Sequence, residues 1–431
     1  MTAIKTLKAL LGSALLVTAG ATLAPTFAFA QSAEQDAALI KHGEYLARAG
    51  DCMACHSAAG KKPFAGGLPI VSGLGTIYST NITPSQRNGI GNYTEQQFAD
   101  AIRKGIRSDG ARLYPAMPYP DYVKISDADV HALYTYFMKG VAPVDEAAPV
   151  TSLSFPFNLR WGMALWNFAF TPNKPFAAPD GATEQVRRGA YLVESLGHCG
   201  SCHTPRGVAM NEKAFDGSDA SFLAGGDLNG WTVPSLRGMA HWTQQDVVDY
   251  LQTGRNSKAA VAGEMTSVVY NSTSHMTDSD VNAIAAYLKS LPASATAHAE
   301  PVATSASAPD ATTAKLTAAR ELTLGERLYV DNCAACHFVN GKGAPRVFPH
   351  LDGATVVNAK DPAGLLHVIL AGAQTPSTAK APSVLPMPGF AYRLNDDEVA
   401  QLATFVRSGW SNHAPAVTAS DAAKARKLAA K

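Results

Sequence analysis

The pattern Cys-x-x-Cys-His occurs three times in this chain of 431 residues and uses up every one of its 6 cysteines. The copies are Cys52-Met53-Ala54-Cys55-His56, Cys199-Gly200-Ser201-Cys202-His203 and Cys333-Ala334-Ala335-Cys336-His337. Two thiols at this spacing can add across the two vinyl groups of one haem, and the adjacent histidine then lies under the iron as proximal ligand. A zinc site would need a second cysteine pair nearby, but successive motifs are 147 (199 minus 52) and 134 (333 minus 199) residues apart. A thioredoxin-type dithiol needs a βαβ setting, and no such strand pattern surrounds these motifs. The sequence therefore predicts three covalently bound haem c groups, on Cys52 and Cys55, Cys199 and Cys202, and Cys333 and Cys336. Their proximal ligands are His56, His203 and His337.

The repeat extends beyond the motif. Ahead of the three copies stand Gly43-Glu44-Tyr45-Leu46-Ala47-Arg48, Gly189-Ala190-Tyr191-Leu192-Val193-Glu194 and Gly325-Glu326-Arg327-Leu328-Tyr329-Val330. Each places aromatic and aliphatic residues at helical spacing and so presents one apolar face. Each unit also closes with a helix-start signal: Ser126-Asp127-Ala128-Asp129, Thr277-Asp278-Ser279-Asp280 and Asn395-Asp396-Asp397-Glu398. A capping oxygen followed three residues later by an acid satisfies the free N–H groups of a first helical turn. The apolar faces that follow are Leu133, Tyr134 and Phe137; Ile284, Tyr287 and Leu288; and Leu402, Phe405 and Val406.

The sixth iron ligand is sought among methionines, whose sulfur raises the haem potential. Met117 (Pro115-Ala116-Met117-Pro118) and Met387 (Pro386-Met387-Pro388) sit in stiff proline-flanked loops, whereas Met138 falls on a helix face and reads as core. In the second unit Met265 is 62 residues after His203 (265 minus 203), close to the 61 between His56 and Met117 (117 minus 56), which favours it over Met276, the residue before the capping Thr277.

The formal net charge is +1, with no long basic stripe, so nucleic acid is not an expected partner. Lys5 and Lys8, the apolar run Ala9–Ala21 and the small-residue site Ala28-Phe29-Ala30 read as a secretory signal peptide over residues 1–30, and the exported chain begins near Gln31. No later run reaches the ~18–20 apolar residues of a membrane span. The remaining boundaries follow from composition: haem units at 31–145, 182–292 and 320–412, an aromatic-rich connector at 146–181, an extended, poorly ordered Ala/Ser/Thr/Pro linker at 293–319 and a tail at 413–431. The connector either fills the interface of the first two units or presents a docking patch for a partner or membrane surface. The basic tail reads as disordered, with lipid headgroups as its alternative partner.

A leading helix crossing a closing helix, with haem held between loops, resembles the class I cytochrome c fold, so the expected architecture is all-α, three such domains in tandem. The chain as a whole resembles the cytochrome c subunits of membrane-bound periplasmic dehydrogenases of acetic acid bacteria and their relatives, which serve alcohol, gluconate, sorbitol, fructose and aldehyde dehydrogenases. The carrying stretches are Gly43–Arg48 with the first motif, Gly75-Thr76-Ile77-Tyr78-Ser79-Thr80-Asn81-Ile82-Thr83-Pro84, Leu113-Tyr114-Pro115-Ala116-Met117-Pro118-Tyr119-Pro120 and His198–Gly207. The resemblance implies a flavin- or PQQ-dependent catalytic partner, ubiquinone as acceptor and peripheral attachment to the cytoplasmic membrane on the periplasmic side. Because the chain ends soon after Trp410, the expected partner tilts toward the flavin-dependent type, such as gluconate 2-dehydrogenase. No Gly-x-Gly-x-x-Gly follows a strand and no triad signature is present, so substrate chemistry is expected on another chain. A free periplasmic shuttle, or an oxidase-associated cytochrome, is the alternative. A peroxidase would need an open iron, whereas every unit here offers a methionine.

Overall fold

The computed structural model describes residues 24–228, 230–239, 241–294 and 311–429. The same helix crossing is built three times. Leading helices Ala24–Ala49, Glu184–Tyr191 and Leu324–Asn332 pack on closing helices Asp127–Thr135, Asp278–Ser290 and Asp396–Ser408. A glycine sits at each crossing. A Cβ added to Gly43, Gly189 or Gly325 would lie 2.0, 1.9 or 2.3 Å from the carbonyl oxygen of Ala132, Ala283 or Gln401. Only a residue without a side chain lets the two backbones approach this closely, which is why the repeat begins with glycine.

The closing helices start where the sequence places them. Ser126, Thr277 and Asn395 accept the N–H of Asp129, Asp280 and Glu398, and Asn395 and Glu398 form a full capping box. Leu133, Phe137, Ile284, Tyr287, Leu288, Leu402, Phe405 and Val406 are buried as their spacing requires. Tyr134 is half-buried and its hydroxyl donates to the carbonyl of Tyr93. Small antiparallel ribbons decorate the helices: Pro69–Ser72, Gly75–Tyr78 and Ser152–Leu153 in one sheet, Gly226–Leu228 with Trp231–Val233, and Ala373–Gln374 with Pro386–Met387.

The first two units share one apolar core. Leu46, Ala49, Leu133 and Phe137 belong to the same buried cluster as Leu192, Leu196, Ile284 and Leu288. Their leading helices also exchange hydrogen bonds. Tyr45 donates to Asp280 at 2.5 Å and takes the backbone N–H of Thr277, while Tyr191 donates to Asp129 and takes the backbone N–H of Ser126. Tyr45 and Tyr191 are equivalent repeat positions, as are Asp129 and Asp280, so the contact is reciprocal. Arg188 reinforces it with two bonds to Asp280, at 2.8 and 2.7 Å. The third unit has its own core, around Leu366, Leu402 and Val399.

Two expectations are corrected. Within the supposed linker, Ala311–Ala318 is a helix: Leu316 is buried in the third core, Lys315 pairs with Glu326, and Thr312 accepts the N–H of Trp410. The rest of that linker, from 295 to 310, lies outside the described residues. The tail is not disordered either. Ala419–Ala429 is a helix that buries Ala422 and Ala425 on the third unit, and Arg426 binds Asp396 at 2.7 Å and the carbonyls of Ala391 and Leu394. Small residues at helical spacing allow this close docking, and the arginine expected to face lipid is consumed by the protein.

The aromatic connector divides its two faces. Trp166 donates to the carbonyl of Ala209, and Asn167 accepts from Tyr119 and donates to the carbonyl of Lys104, which ties helix Gly162–Phe170 to the first two units. Its other side leaves Phe155, Trp161, Leu165 and Phe168 exposed, the last at 91%. Among the described residues no helix is long and apolar enough to cross a membrane. Most of the expected signal peptide, residues 1–23, lies outside the described residues; Ala24–Ala30 begins the first leading helix.

Candidate haem centres

Each motif forms a short helical turn at the end of its leading helix: Cys52–His56, Gly200–His203 and Ala334–His337. Before the first two, the residue preceding the first cysteine adopts a left-handed conformation, Asp51 at φ 52 and His198 at φ 38. This left-handed residue ends the preceding helix just before the motif. Among the described residues no disulfide joins any two of the six cysteines. Before haem is attached, burial pushes the thiols of Cys52, Cys199 and Cys333 up to about 12, and those of Cys55 and Cys202 up to about 11, which favours the protonated thiol.

The histidines show the clearest sign of what they hold. His56 Nδ1 lies 2.7 Å from the carbonyl oxygen of Thr80, His203 Nδ1 is 2.8 Å from that of Pro234, and His337 Nδ1 is 2.9 Å from that of Pro349. A carbonyl only accepts, so Nδ1 carries the proton in all three rings and Nε2 keeps its lone pair. Burial lowers each imidazole pKa, outweighing the opposing pull of the carbonyl bond, and so favours the neutral ring. A neutral imidazole oriented by an Nδ1–H bond, with Nε2 free, is the form that ligates a metal. These residues fit covalent haem. The three carbonyls lie 24, 31 and 12 residues beyond their histidines, and the irregular spacing hides them from a sequence search. The only hint was that Thr80 lies within the stretch Gly75–Pro84.

The methionines are placed by three different devices. Met117 lies in a turn, its N–H on the carbonyl of Tyr114 at 3.2 Å, and it packs partly buried against the shared core. Met265 is the second residue of helix Glu264–Asn271, also partly buried there. Met387 stands opposite Ala373 in the two-residue ribbon and contacts the third core. Met276 is buried at 8% exposure within the shared core, and Met138 is partly buried against the same cluster.

The sites are neighbours. The Met265 helix packs against the turn Cys52–His56 of the first unit. Between the second and third units, Trp231 stacks near His367 at 4.8 Å, and the backbone N–H groups of Arg346 and His350 donate to the carbonyls of Asn256 and Lys258.

Three turns, each with a cysteine pair and an imidazole oriented by its Nδ1–H bond, define a covalent multihaem protein. The chain belongs to the cytochrome c family, which residues 40–140, 186–292 and 322–410 each match. It carries three covalently bound haem c groups, one per matched segment. It is similar, at 44% identity over 94% of its length and 85% of the relative's, to the cytochrome c subunit of a quinone alcohol dehydrogenase from Gluconobacter oxydans. Equal identity, 44%, over 93% of both chains relates it to the gluconate 2-dehydrogenase cytochrome c subunit of Pantoea cypripedii. The fructose dehydrogenase cytochrome subunit of Gluconobacter japonicus is 39% identical over 89% of this chain and 82% of that one.

Proposed function

We propose that this chain is the electron-carrying subunit of a periplasmic dehydrogenase complex, passing electrons from a flavin- or PQQ-dependent partner through its three haems to ubiquinone. The observation that carries this reading is the run of three neighbouring haem sites in a chain whose relatives are named as cytochrome subunits of three different dehydrogenases. The same identity to alcohol and gluconate relatives fits a carrier that never meets the substrate. Catalysis resides on the partner chain. The bound haem supplies one-electron chemistry; the protein's residues hold and orient it, with His56 and Met117, His203 and Met265, and His337 and Met387 as axial pairs. The burial of Met276 in the shared core supports the choice of Met265.

Residues 1–30 serve as the export signal and are removed. The chain then meets the cytoplasmic membrane peripherally, and the exposed side chains of Phe155, Trp161, Leu165 and Phe168 are the contact surface. Arg160, next to Trp161 in the chain, lies over the Tyr114 ring at 4.6 Å and donates to the carbonyl of Arg112 at 2.8 Å. Deleting the subunit tests the reading: the catalytic partner should keep reducing an artificial dye, lose ubiquinone reduction and leave the membrane. Intact ubiquinone reduction without this subunit overturns the proposal. Replacing Trp161, Leu165 and Phe168 together by serine should release the complex from membranes while leaving dye reduction unchanged.

A further inference from the structure

Asp121 and Glu212 meet, buried, beside the second haem motif. Asp121 lies four residues past Met117 in the first unit and is 0% exposed; Glu212 belongs to the second unit and is 7% exposed. Ser201, between Cys199 and Cys202, donates its hydroxyl to Asp121 Oδ2 at 2.7 Å and lies 3.3 Å from Glu212 Oε1. Arg206 approaches the same Glu212 oxygen at 3.7 Å. The other two carboxyl oxygens, Asp121 Oδ1 and Glu212 Oε2, are buried and have no partner. Both face one spot: a Cβ added to Gly200 would lie 3.0 Å from Oε2 and 3.4 Å from Oδ1.

Two buried, unpartnered carboxylate oxygens side by side would repel each other and each forfeit its hydration. One proton removes both faults, since a protonated Glu212 Oε2 can donate to Asp121 Oδ1. A bound cation would also bridge them, but Arg206 already supplies positive charge on one side and Lys124, held by Glu194 at 3.0 Å and the carbonyl of Phe215 at 2.6 Å, supplies it on the other. Among the described residues no third acidic, histidine or cysteine ligand joins the pair. Tyr122 beside it is committed to the carbonyl of Gly50 and to His198. The Cys199 and Cys202 sulfurs become uncharged thioethers once haem is attached.

We infer that Asp121 and Glu212 form a shared proton site that couples reduction of the second haem to uptake of a proton. When the centre accepts one electron from its donor, the local charge falls by one. The pair, already holding one proton, gains a second on its remaining carboxylate; the proton comes from a hydronium ion of the solvent, which is left as water, so one O–H bond forms as another breaks. Burial favours the neutral acids, raising Asp121 to about 6 and Glu212 further, so the second protonation falls close to the working range. Through a poorly screened interior a unit charge nearby raises proton affinity by about tenfold. The inference needs haem on Cys199 and Cys202 and is independent of the dehydrogenase partner and the acceptor.

The test is potentiometry of the purified three-haem protein, followed in the visible haem bands at a series of pH values. One of the three midpoint potentials should fall as pH rises above about 6, and flatten once the pair stays singly protonated in both redox states. Redox-difference infrared spectra should show a protonated carboxyl band that grows on reduction and shifts in deuterium oxide. Asp121→Asn and Glu212→Gln should each abolish that band and at least halve the pH dependence, with the other two potentials unmoved. If one variant fails to take up haem, the other decides. A slope or band that survives in a folded variant assigns the proton elsewhere, to a haem propionate for example, and overturns the inference. So does a potential that ignores pH but shifts when calcium is added or chelated, which would make the pair a cation site.

Discussion

The first two units and the third are built from the same repeat yet meet their neighbours by different physics. Units one and two are fused through a common apolar core and crossed Tyr–Asp bonds. The third folds around its own core and touches the second mainly through surface ion pairs, Arg346 with Asp249 and Lys380 with Asp278, and a few backbone bonds. One residue position accounts for much of the contrast. Where the first two leading helices carry Tyr45 and Tyr191, the third carries Arg327, which is exposed. A tyrosine can bury its ring and still hand its hydroxyl to a neighbour's helix cap; an arginine there keeps to solvent. The haem turns, their orienting carbonyls and the crossing glycines recur in all three units while this position differs, so partnering is free to vary around them.

The sharpest way to break this comparison is through the buried ion pair that joins the fused units. Lys124 of the first binds Glu194 of the second at 3.0 Å, with side chains 5% and 3% exposed. Glu194→Gln leaves the buried lysine with the Phe215 carbonyl and, at 3.9 Å, Asp216 as its remaining partners and should cost about 3–5 kcal/mol. In calorimetry the transition of the fused pair should drop while that of the third unit stays; a joint shift would show one cooperative body. Next in size are Tyr45→Phe and Tyr191→Phe. Each removes a hydrogen bond to a carboxylate and should cost about 1.5–3 kcal/mol by thermal unfolding. If one of them proves silent, the contact is reciprocal in shape only.

Acid should separate the two kinds of contact. Burial pushes Asp246 up, but hydrogen bonds from Ser257, Lys258 and Thr243 outweigh it and hold the group at about 2. Those bonds fix the loop whose Asn256 and Lys258 carbonyls receive the third unit. Bonds from Lys380 and Gln252 hold Asp278 below the ordinary carboxylate range. Both groups are depressed in the folded state, so their contribution is complete above the unfolded value of about 4 and is lost as pH falls through the folded one. Burial pushes Asp280 in the fused pair up, but bonds from Arg188 and Tyr45 outweigh it and hold that group low as well. The fused pair keeps its shared apolar core in acid, so small-angle scattering should show the third unit swinging away as pH drops from about 4 toward 2 while the fused pair stays compact. The smallest effect belongs to Arg346→Ala. This half-exposed pair should contribute less than about 1 kcal/mol, and added salt should mimic the substitution in the same scattering experiment.

What the sequence revealed and what it hid divide along the line between local and distant interactions. The capped closing helices, the apolar faces of the leading helices and the three motifs were legible because caps, helical periodicity and thiol spacing act over a few residues, whereas the role of the glycine that opens each repeat shows only in the helix crossing. The tail and Ala311–Ala318 were misread because composition alone weighs Ala, Ser and Thr as linker, whereas here small side chains let Ala422, Ala425 and Leu316 seat on a ready-made core. The carbonyl partners of the three histidines are set by loop geometry and leave no residue-type signature. The pair Asp121 and Glu212 comes from two different units, 91 residues apart (212 minus 121), and only the fused core brings them together.

The crossed tyrosines also bear on how such a chain can be recombined. A breakpoint anywhere in 146–181 would take Tyr45 and Asp129 from one parent and their acceptor and donor, Asp280 and Tyr191, from another. Both halves would have to match at once, so the inheritable module is the first two units together. A breakpoint in 295–310 severs neither bond, and a foreign third unit has to satisfy a surface of ion pairs, two backbone bonds and the Trp231–His367 contact.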